Sequence, residues 1–389
     1  MKTRIEAFRV SIDEAELIDL KDRLQRVRYA DDYANEDWSY GVNGRYLREL
    51  CDYWKLGFDW RKQEREINRY AHFMAQIEGV PIHFIHERGK GSQPMPLILS
   101  HGWPWTFWDF RKLIGPLTDP AAHGGDPADA FDVVLPSLPG FGFSTPLRTP
   151  QINFWRTADL WVQLMDALGY PRFSSYGSDW GAFVSSQLGH KYADRLYGTH
   201  TSLPLPLDLF FCGLPEPQDF ADDEKGWYER NAQFFGSESA YSALQATKPQ
   251  TLAYGLNDSP VAQCAWILEK RRSWSDCDGD VERAFSKDDL LTTATLYWLT
   301  QSGGSAARYY AECIRNPWKP AHDRSPRIEA PSGIARFDRD VVQWPRSWVE
   351  KHYNLQRYTR IARGGHFTAM ESPDVLIHEL REFYRPLRP

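Results

Sequence analysis

Short apolar runs, each closed by turn residues, alternate along this chain with segments of helical periodicity. The runs 80–86 (VPIHFIH), 96–100 (PLILS) and Phe131–Leu135 come first, and a helical pattern through Leu160, Leu164 and Leu168 follows. Further strand candidates are 173–177, 196–202, 331–337 and 356–361. Runs that are apolar throughout must be covered on both faces, and helices between them supply the crossovers that parallel pairing requires. The expected class is α/β, a mainly parallel sheet with helices on both faces.

Two stretches depart from this rhythm. Residues 1–75 read as an N-terminal arm of helix and loop, rich in Trp and Tyr. One helix is predicted over 11–28 from Ile12, Leu17, Leu20, Leu24 and Val27, with Ser11 as N-cap and Glu14 three residues on. A second carries Tyr46, Leu47, Leu50 and Trp54 on one face, and Gly57-Phe58-Asp59-Trp60 breaks it. Residues 206–325 hold mostly helical patterns, such as 261–272 and 288–300, with Pro- and Gly-rich joints. The expected organisation is therefore an arm (1–75), a core in two parts (76–205 and 326–389) and a helical lid (206–325). Sites in open α/β sheets lie beyond the carboxyl ends of the strands, so an insertion there would roof a pocket.

A chain of 389 residues, 42% of them hydrophobic, can bury a large core. Its formal net charge is −6, with no basic stretch interleaved with aromatics, which argues against nucleic-acid or anionic-membrane partners. The five cysteines include no CxxC pair, which argues against a disulfide framework or a zinc site. The first twenty residues are charged throughout and lack the apolar run of a signal peptide, so a soluble, cytoplasmic protein is expected. Residues three apart on a strand face opposite sides, so His83 and His86 make a poor metal pair. No HExxH, EF-hand or Walker pattern occurs, and neither a metal nor a cofactor is expected.

The segment with most chemistry is Ser174-Ser175-Tyr176-Gly177-Ser178-Asp179-Trp180-Gly181-Ala182, between an apolar run and a helical one. It has the small-x-nucleophile-x-small pattern of a tight strand-to-helix turn, with Asp where Ser is usual. A carboxylate there suits attack on an sp³ carbon bearing a leaving group, giving an alkyl-enzyme ester. An Asp that merely caps the following helix is the competing reading; Ser178 sits one residue off the turn. Ser100-His101-Gly102-Trp103-Pro104 follows the strand 96–100, and the N–H groups of Trp103 and Trp180 are candidates for an oxyanion hole, with His101 structural. Arg363-Gly364-Gly365-His366-Phe367 follows the last strand candidate, where the order nucleophile, acid, histidine places a base. Phe337-Asp338-Arg339-Asp340 offers two carboxylates to orient it. Pro139-Gly140-Phe141-Gly142-Phe143-Ser144 is expected to shape the pocket wall.

Together these segments resemble the microsomal-type epoxide hydrolases, a branch of the α/β-hydrolase superfamily. HGWP, PGFGFS, GSDWG and GGHF match in order, as do Gly57-Phe58-Asp59-Trp60-Arg61 and Ile82-His83-Phe84-Ile85-His86 in the arm region. Within 206–325, Thr247-Lys248-Pro249, Leu256-Asn257-Asp258-Ser259-Pro260, Ile267-Leu268-Glu269-Lys270 and Phe285-Ser286-Lys287-Asp288-Asp289-Leu290-Leu291 match too. The resemblance implies Asp179 as nucleophile, His366 as base and Asp340 as its carboxylate partner. It implies Tyr241 and Tyr310 as the lid tyrosines, with Tyr309 adjacent to the second. The implied reaction converts an apolar epoxide and water to a vicinal diol through an ester on Asp179, without a cofactor. Which epoxide, and which oligomeric state (a homodimer included), the sequence leaves open. A haloalkane dehalogenase, with Trp180 holding halide, and a non-catalytic ligand-binding homologue are the alternatives.

Overall fold

The computed structural model describes residues 3–389. Its centre is a nine-stranded sheet in the order β1-β2-β3-β5-β4-β6-β7-β8-β9. The strands are β1 (Ile5–Phe8), β2 (His72–Ile77), β3 (Val80–Glu87), β4 (Met95–Ser100), β5 (Phe131–Pro136), β6 (Phe173–Gly177), β7 (Leu196–Thr201), β8 (Ile328–Phe337) and β9 (Tyr353–Ile361). The first three pair antiparallel, and β3 meets β5 antiparallel. From β5 through β4, β6, β7 and β8 to β9 every pairing is parallel. Strands β5 and β6 are buried at every position, as continuous apolar runs require when helices cover both faces.

Helices α1 (Glu14–Gln25), α2 (Gly44–Leu56) and α3 (Trp60–Ile67) form the arm. The first begins after Asp13 rather than Ser11, and Asp13 makes no side-chain capping bond. The break at Gly57–Trp60 also starts a helix, because the Asp59 side chain accepts the Lys62 N–H and caps α3. The helix-and-loop expectation for this region missed two strands. β1 is only four residues long. The β2–β3 hairpin turns on Glu78 and Gly79, both at positive φ (52° and 79°), whereas the usual two-residue signal carries Asn or Asp before Gly.

On the sheet faces lie α4 (Arg111–Thr118), α5 (Phe154–Ala167) and α6 (Trp180–Lys191). Between β7 and β8 the chain leaves the sheet for α7 (Gly226–Gln233), α8 (Ala240–Thr247), α9 (Pro249–Asp258), α10 (Pro260–Ser273), α11 (Lys287–Leu299) and α12 (Gly303–Arg315). A π-helical turn at Phe234–Glu238 joins α7 towards α8. The arm packs on this insertion: Tyr53 donates to Asp288 at 2.9 Å and Arg23 pairs with Asp258 at 3.0 Å. The chain returns through β8, α13 (Arg346–His352), β9, α14 (Thr368–Glu371) and α15 (Pro373–Tyr384). Among the described residues, no helix is long and apolar enough to cross a membrane.

Candidate active site

Asp179 stands on the bend between β6 and α6 with φ 54° and ψ −128°. That conformation is strained for a residue with a Cβ, and such strain collects where a side chain must be presented. The neighbouring glycines show why the bend tolerates no bulk. A Cβ on Gly177 would lie 2.0 Å from the Gly181 carbonyl oxygen, and one on Gly181 would lie 1.9 Å from that of Ser100. Asp179 occupies the N-cap position of α6, yet its side chain makes no capping bond. It accepts instead the Trp103 N–H, 2.8 Å from Oδ1. The capping alternative therefore does not describe this carboxylate. Ser178 is fully buried, and among the described residues its Oγ has no partner.

The loop after β4 comes so close that a Cβ on Gly102 would sit 2.1 Å from Asp179 Oδ1. His101 is buried in it, with Nδ1 3.0 Å from the Gly102 carbonyl oxygen and Nε2 accepting the Leu138 N–H at 3.0 Å. Burial pushes its pKa down to about 4, so it serves as a neutral brace. Trp180 starts α6; among the described residues its N–H makes no hydrogen bond to Asp179, so Trp103 alone donates in this geometry.

His366 lies on the loop between β9 and α14 and is fully buried. Its Nδ1 is 2.8 Å from Asp340 Oδ1, and its Nε2 is 3.3 Å from Asp179 Oδ2. That second contact has ion-pair range but not hydrogen-bond direction, so Nε2 retains its donor or acceptor capacity. Burial alone would lower the imidazole pKa; the charges of Asp340 and Asp179 outweigh it and raise the pKa to about 10. The adjacent candidate Asp338 points outward and pairs with Arg360 at 2.8 Å.

Above Asp179 is a cavity of about 350 Å³ lined mainly by Phe, Leu and Val side chains, with Tyr241 and Tyr310 facing the same space. A wider cleft of about 740 Å³ around Asp223, Trp227 and Arg360 is lined by charged groups and includes none of these residues. Tyr241 stacks on Trp103, ring centroids 5.0 Å apart, and Tyr310 meets Trp180 edge-on at 4.7 Å. Burial, and then the nearby Asp179 charge, raise the Tyr241 pKa. Burial raises that of Tyr310, with Tyr241 and Asp179 adding to it. Both phenols thus keep their protons. Tyr309, one residue away on α12, turns to the other side and bonds Thr157 Oγ1 at 2.7 Å.

The Pro139–Ser144 loop does not line this cavity, contrary to expectation. Phe141 packs on Tyr309, and Ser305 Oγ donates to the Gly140 carbonyl, so the loop supports α12 from beneath. Several residues that shape the site carried no sequence signal. Buried Arg271 on α10 pairs with Asp109 at 2.6 Å and donates to the Pro104 carbonyl at 3.0 Å. Trp274 packs edge-on against the His366 ring at 5.1 Å, and its carbonyl accepts the His366 N–H at 2.8 Å. These contacts join positions far apart in the chain, which no local pattern records.

Residues 5–110 match the family described as "Epoxide hydrolase N terminus", and residues 95–319 match "alpha/beta hydrolase fold". The chain is similar to a Stigmatella aurantiaca protein named, provisionally, an epoxide hydrolase: 41% identical, covering 99% of this chain and 86% of that one. It is 35% identical to epoxide hydrolase 1 of Sus scrofa, covering 97% and 88%. Among solved structures, the Aspergillus niger epoxide hydrolase superposes with a TM-score of 0.86 at 29% identity, covering 99% and 97%. The juvenile hormone epoxide hydrolase of Bombyx mori gives 0.87 at 27%, covering 99% and 95%. With its sheet order, its carboxylate on the strand-to-helix bend and full-length likeness to these enzymes, the chain belongs to the epoxide hydrolases of the α/β-hydrolase fold.

Proposed function

We propose that this enzyme opens an apolar epoxide to a vicinal diol through a covalent ester on Asp179, beneath a lid formed by residues 206–325. The observation that carries the reading is the joint placement of one carboxylate and two protonated phenols on one apolar cavity, with a carboxylate-braced imidazole 3.3 Å from that same carboxylate. Tyr241 and Tyr310 donate to the epoxide oxygen. The Asp179 carboxylate attacks a ring carbon from the opposite side, the C–O bond breaks, and a tyrosine gives its proton to the alkoxide. A phenol is a far stronger acid than the alcohol formed, so the transfer runs forward.

Alkylation removes the negative charge of Asp179, one of the groups that hold the His366 pKa up. The imidazole then releases its proton to solvent more readily and becomes the base that hydrolysis needs, and it takes a proton back from solvent once Asp179 is again a free carboxylate. His366, held by Asp340, takes a proton from water, and the hydroxide adds to the Asp179 carbonyl carbon. The Trp103 N–H, already directed at Oδ1, stabilises the oxyanion, and such a donor is typically worth about 3 kcal/mol. Collapse breaks the acyl C–O bond. The second alkoxide leaves with a proton from His366, and the proton left on the carboxyl group restores the tyrosine.

The test is intact-mass spectrometry after mixing with a styrene-oxide-like epoxide. Asp179→Ala should form no adduct and no diol. His366→Gln should alkylate and then stall, showing the mass of enzyme plus epoxide. In a single turnover of the native enzyme in ¹⁸O water, the label should enter Asp179 rather than the diol. Direct hydration would put the label in the diol and would overturn the ester mechanism. A panel of uncharged epoxides assayed for diol then ranks substrates.

A further inference from the structure

The loop carrying His366 has a second anchor besides Asp340. The Glu371 carboxylate, at the end of α14, folds back over it. Its Oε1 accepts the Phe367 N–H at 2.8 Å, and its Oε2 accepts the Gly365 N–H at 2.9 Å. Those two amides flank His366. The same Oε2 accepts the Asp276 N–H at 2.7 Å, from the segment between α10 and α11. Asp276 in turn accepts the Gly364 N–H at 3.0 Å, and the Trp274 carbonyl accepts the His366 N–H at 2.8 Å. A Cβ on Gly365 would lie 2.6 Å from that Trp274 carbonyl oxygen, so the two backbones are in direct apposition.

One carboxylate thus joins both sides of the imidazole-bearing residue to the insertion that roofs the cavity. A carboxylate with three N–H donors is a stiff anchor, since each bond to a charged acceptor is about twice as strong as a neutral one. Glu371 reaches neither Asp179 nor either cavity tyrosine: its bonds go to Gly365, Phe367 and Asp276. Two of its three bonds hold the loop of the imidazole and so set it against the ester carbonyl; the third holds the Asp276 segment, whose Trp274 packs on the His366 ring at 5.1 Å and on Tyr241 at 5.0 Å.

We propose that Glu371 is a positioning residue for the second half-reaction, holding His366 in register with water and ester while leaving the alkylation step alone. This rests on the reading of Asp179 as nucleophile and His366 as base. Glu371→Gln preserves shape, but its amide NH₂ must face at least one of the three N–H groups, so the loop loses its common acceptor. A misplacement of about 1 Å is enough to slow a step by about a hundredfold.

The experiment is rapid-quench intact-mass kinetics with styrene oxide on full-length native, Glu371→Gln, Glu371→Asp and His366→Gln enzymes, with thermal melting alongside. Glu371→Gln should hydrolyse the ester about 10- to 100-fold more slowly while alkylating at near the native rate. The ester then accumulates, and kcat and KM fall together with kcat/KM held. Glu371→Asp, which keeps the charge on a shorter arm, should show the same split to a smaller degree, and it decides the matter should the Gln variant not fold. Equal slowing of both steps, or native rates at a reduced active fraction with a lowered Tm, would overturn the proposal and leave Glu371 a structural cap. Failure of His366→Gln to accumulate ester would instead sink the underlying mechanism, which separates the two failures.

Discussion

Gly102→Ala tests the link between backbone packing and the nucleophile. In the native loop a Cβ at this position would sit 2.1 Å from Asp179 Oδ1 and 2.5 Å from its Cγ. An ordinary contact begins near 3.4 Å, so the methyl or the carboxylate must retreat by about 1.3 Å. The loop has little freedom: His101 is tied at both ring nitrogens, Arg271 holds the Pro104 carbonyl, and Tyr297 donates to that of Trp105 at 2.9 Å. The Asp179 Cβ also lies only 2.4 Å from the added atom, so the residue shifts as a whole on its bend and the carboxylate loses the Trp103 N–H as it does so. A shift of this size costs on the order of a hundredfold in rate, about 2.7 kcal/mol of barrier. Overpacking should also cost about 1–3 kcal/mol of stability, visible as a lowered Tm. The assay is single-turnover alkylation followed by intact mass, normalised to folded enzyme. Gly226→Ala, at a helix start with nothing within 4 Å, is the control and should be neutral. Native alkylation by a folded Gly102→Ala enzyme would refute the claim that this glycine exists to make room for the Asp179 carboxylate.

Asp340→Asn should slow ester hydrolysis by on the order of 10³-fold or more by disturbing the imidazole tautomer, and mass spectrometry should show accumulated ester. Asp338→Asn breaks only a partly exposed pair with Arg360 and should leave turnover unchanged, at a cost of at most about 1 kcal/mol in a denaturant melt. Tyr241→Phe and Tyr310→Phe should each slow alkylation, and the double change should nearly abolish it. Tyr309→Phe should instead cost about 1 kcal/mol of stability through the Thr157 bond and leave the alkylation rate intact. The raised His366 pKa, about 10, favours the fold fully below the ordinary value of 6.5, and that contribution disappears as pH rises through about 10. Asp179→Asn removes one supporting charge, as the ester does, so His366 should titrate lower there by NMR; an unchanged titration would contradict the proposed switch from acid to base.

Local chemistry made much of this protein legible in one dimension. The glycine spacing around Asp179 is a steric demand of the bend itself, and it reads directly because Gly177 meets Gly181 only four residues on. Strand runs buried on both faces likewise carry their own signature, and the α10 and α11 ends agree with the sequence reading to within a residue or so. What only tertiary structure decided were choices between neighbours and contacts between distant segments. Asp338 and Asp340 differ by two positions, and the turn after β8 sends one to Arg360 at the surface and the other to His366 in the core. Tyr309 and Tyr310 are adjacent on a helix, about 100° apart around its axis, and only the packing of α12 selects which hydroxyl faces the cavity. The Pro139–Ser144 loop acts through Ser305 and Tyr309 on α12, and Glu371 joins the nearby Gly365 and Phe367 amides to the distant Asp276 amide; backbone groups of any sequence offer such bonds, so no pattern records them.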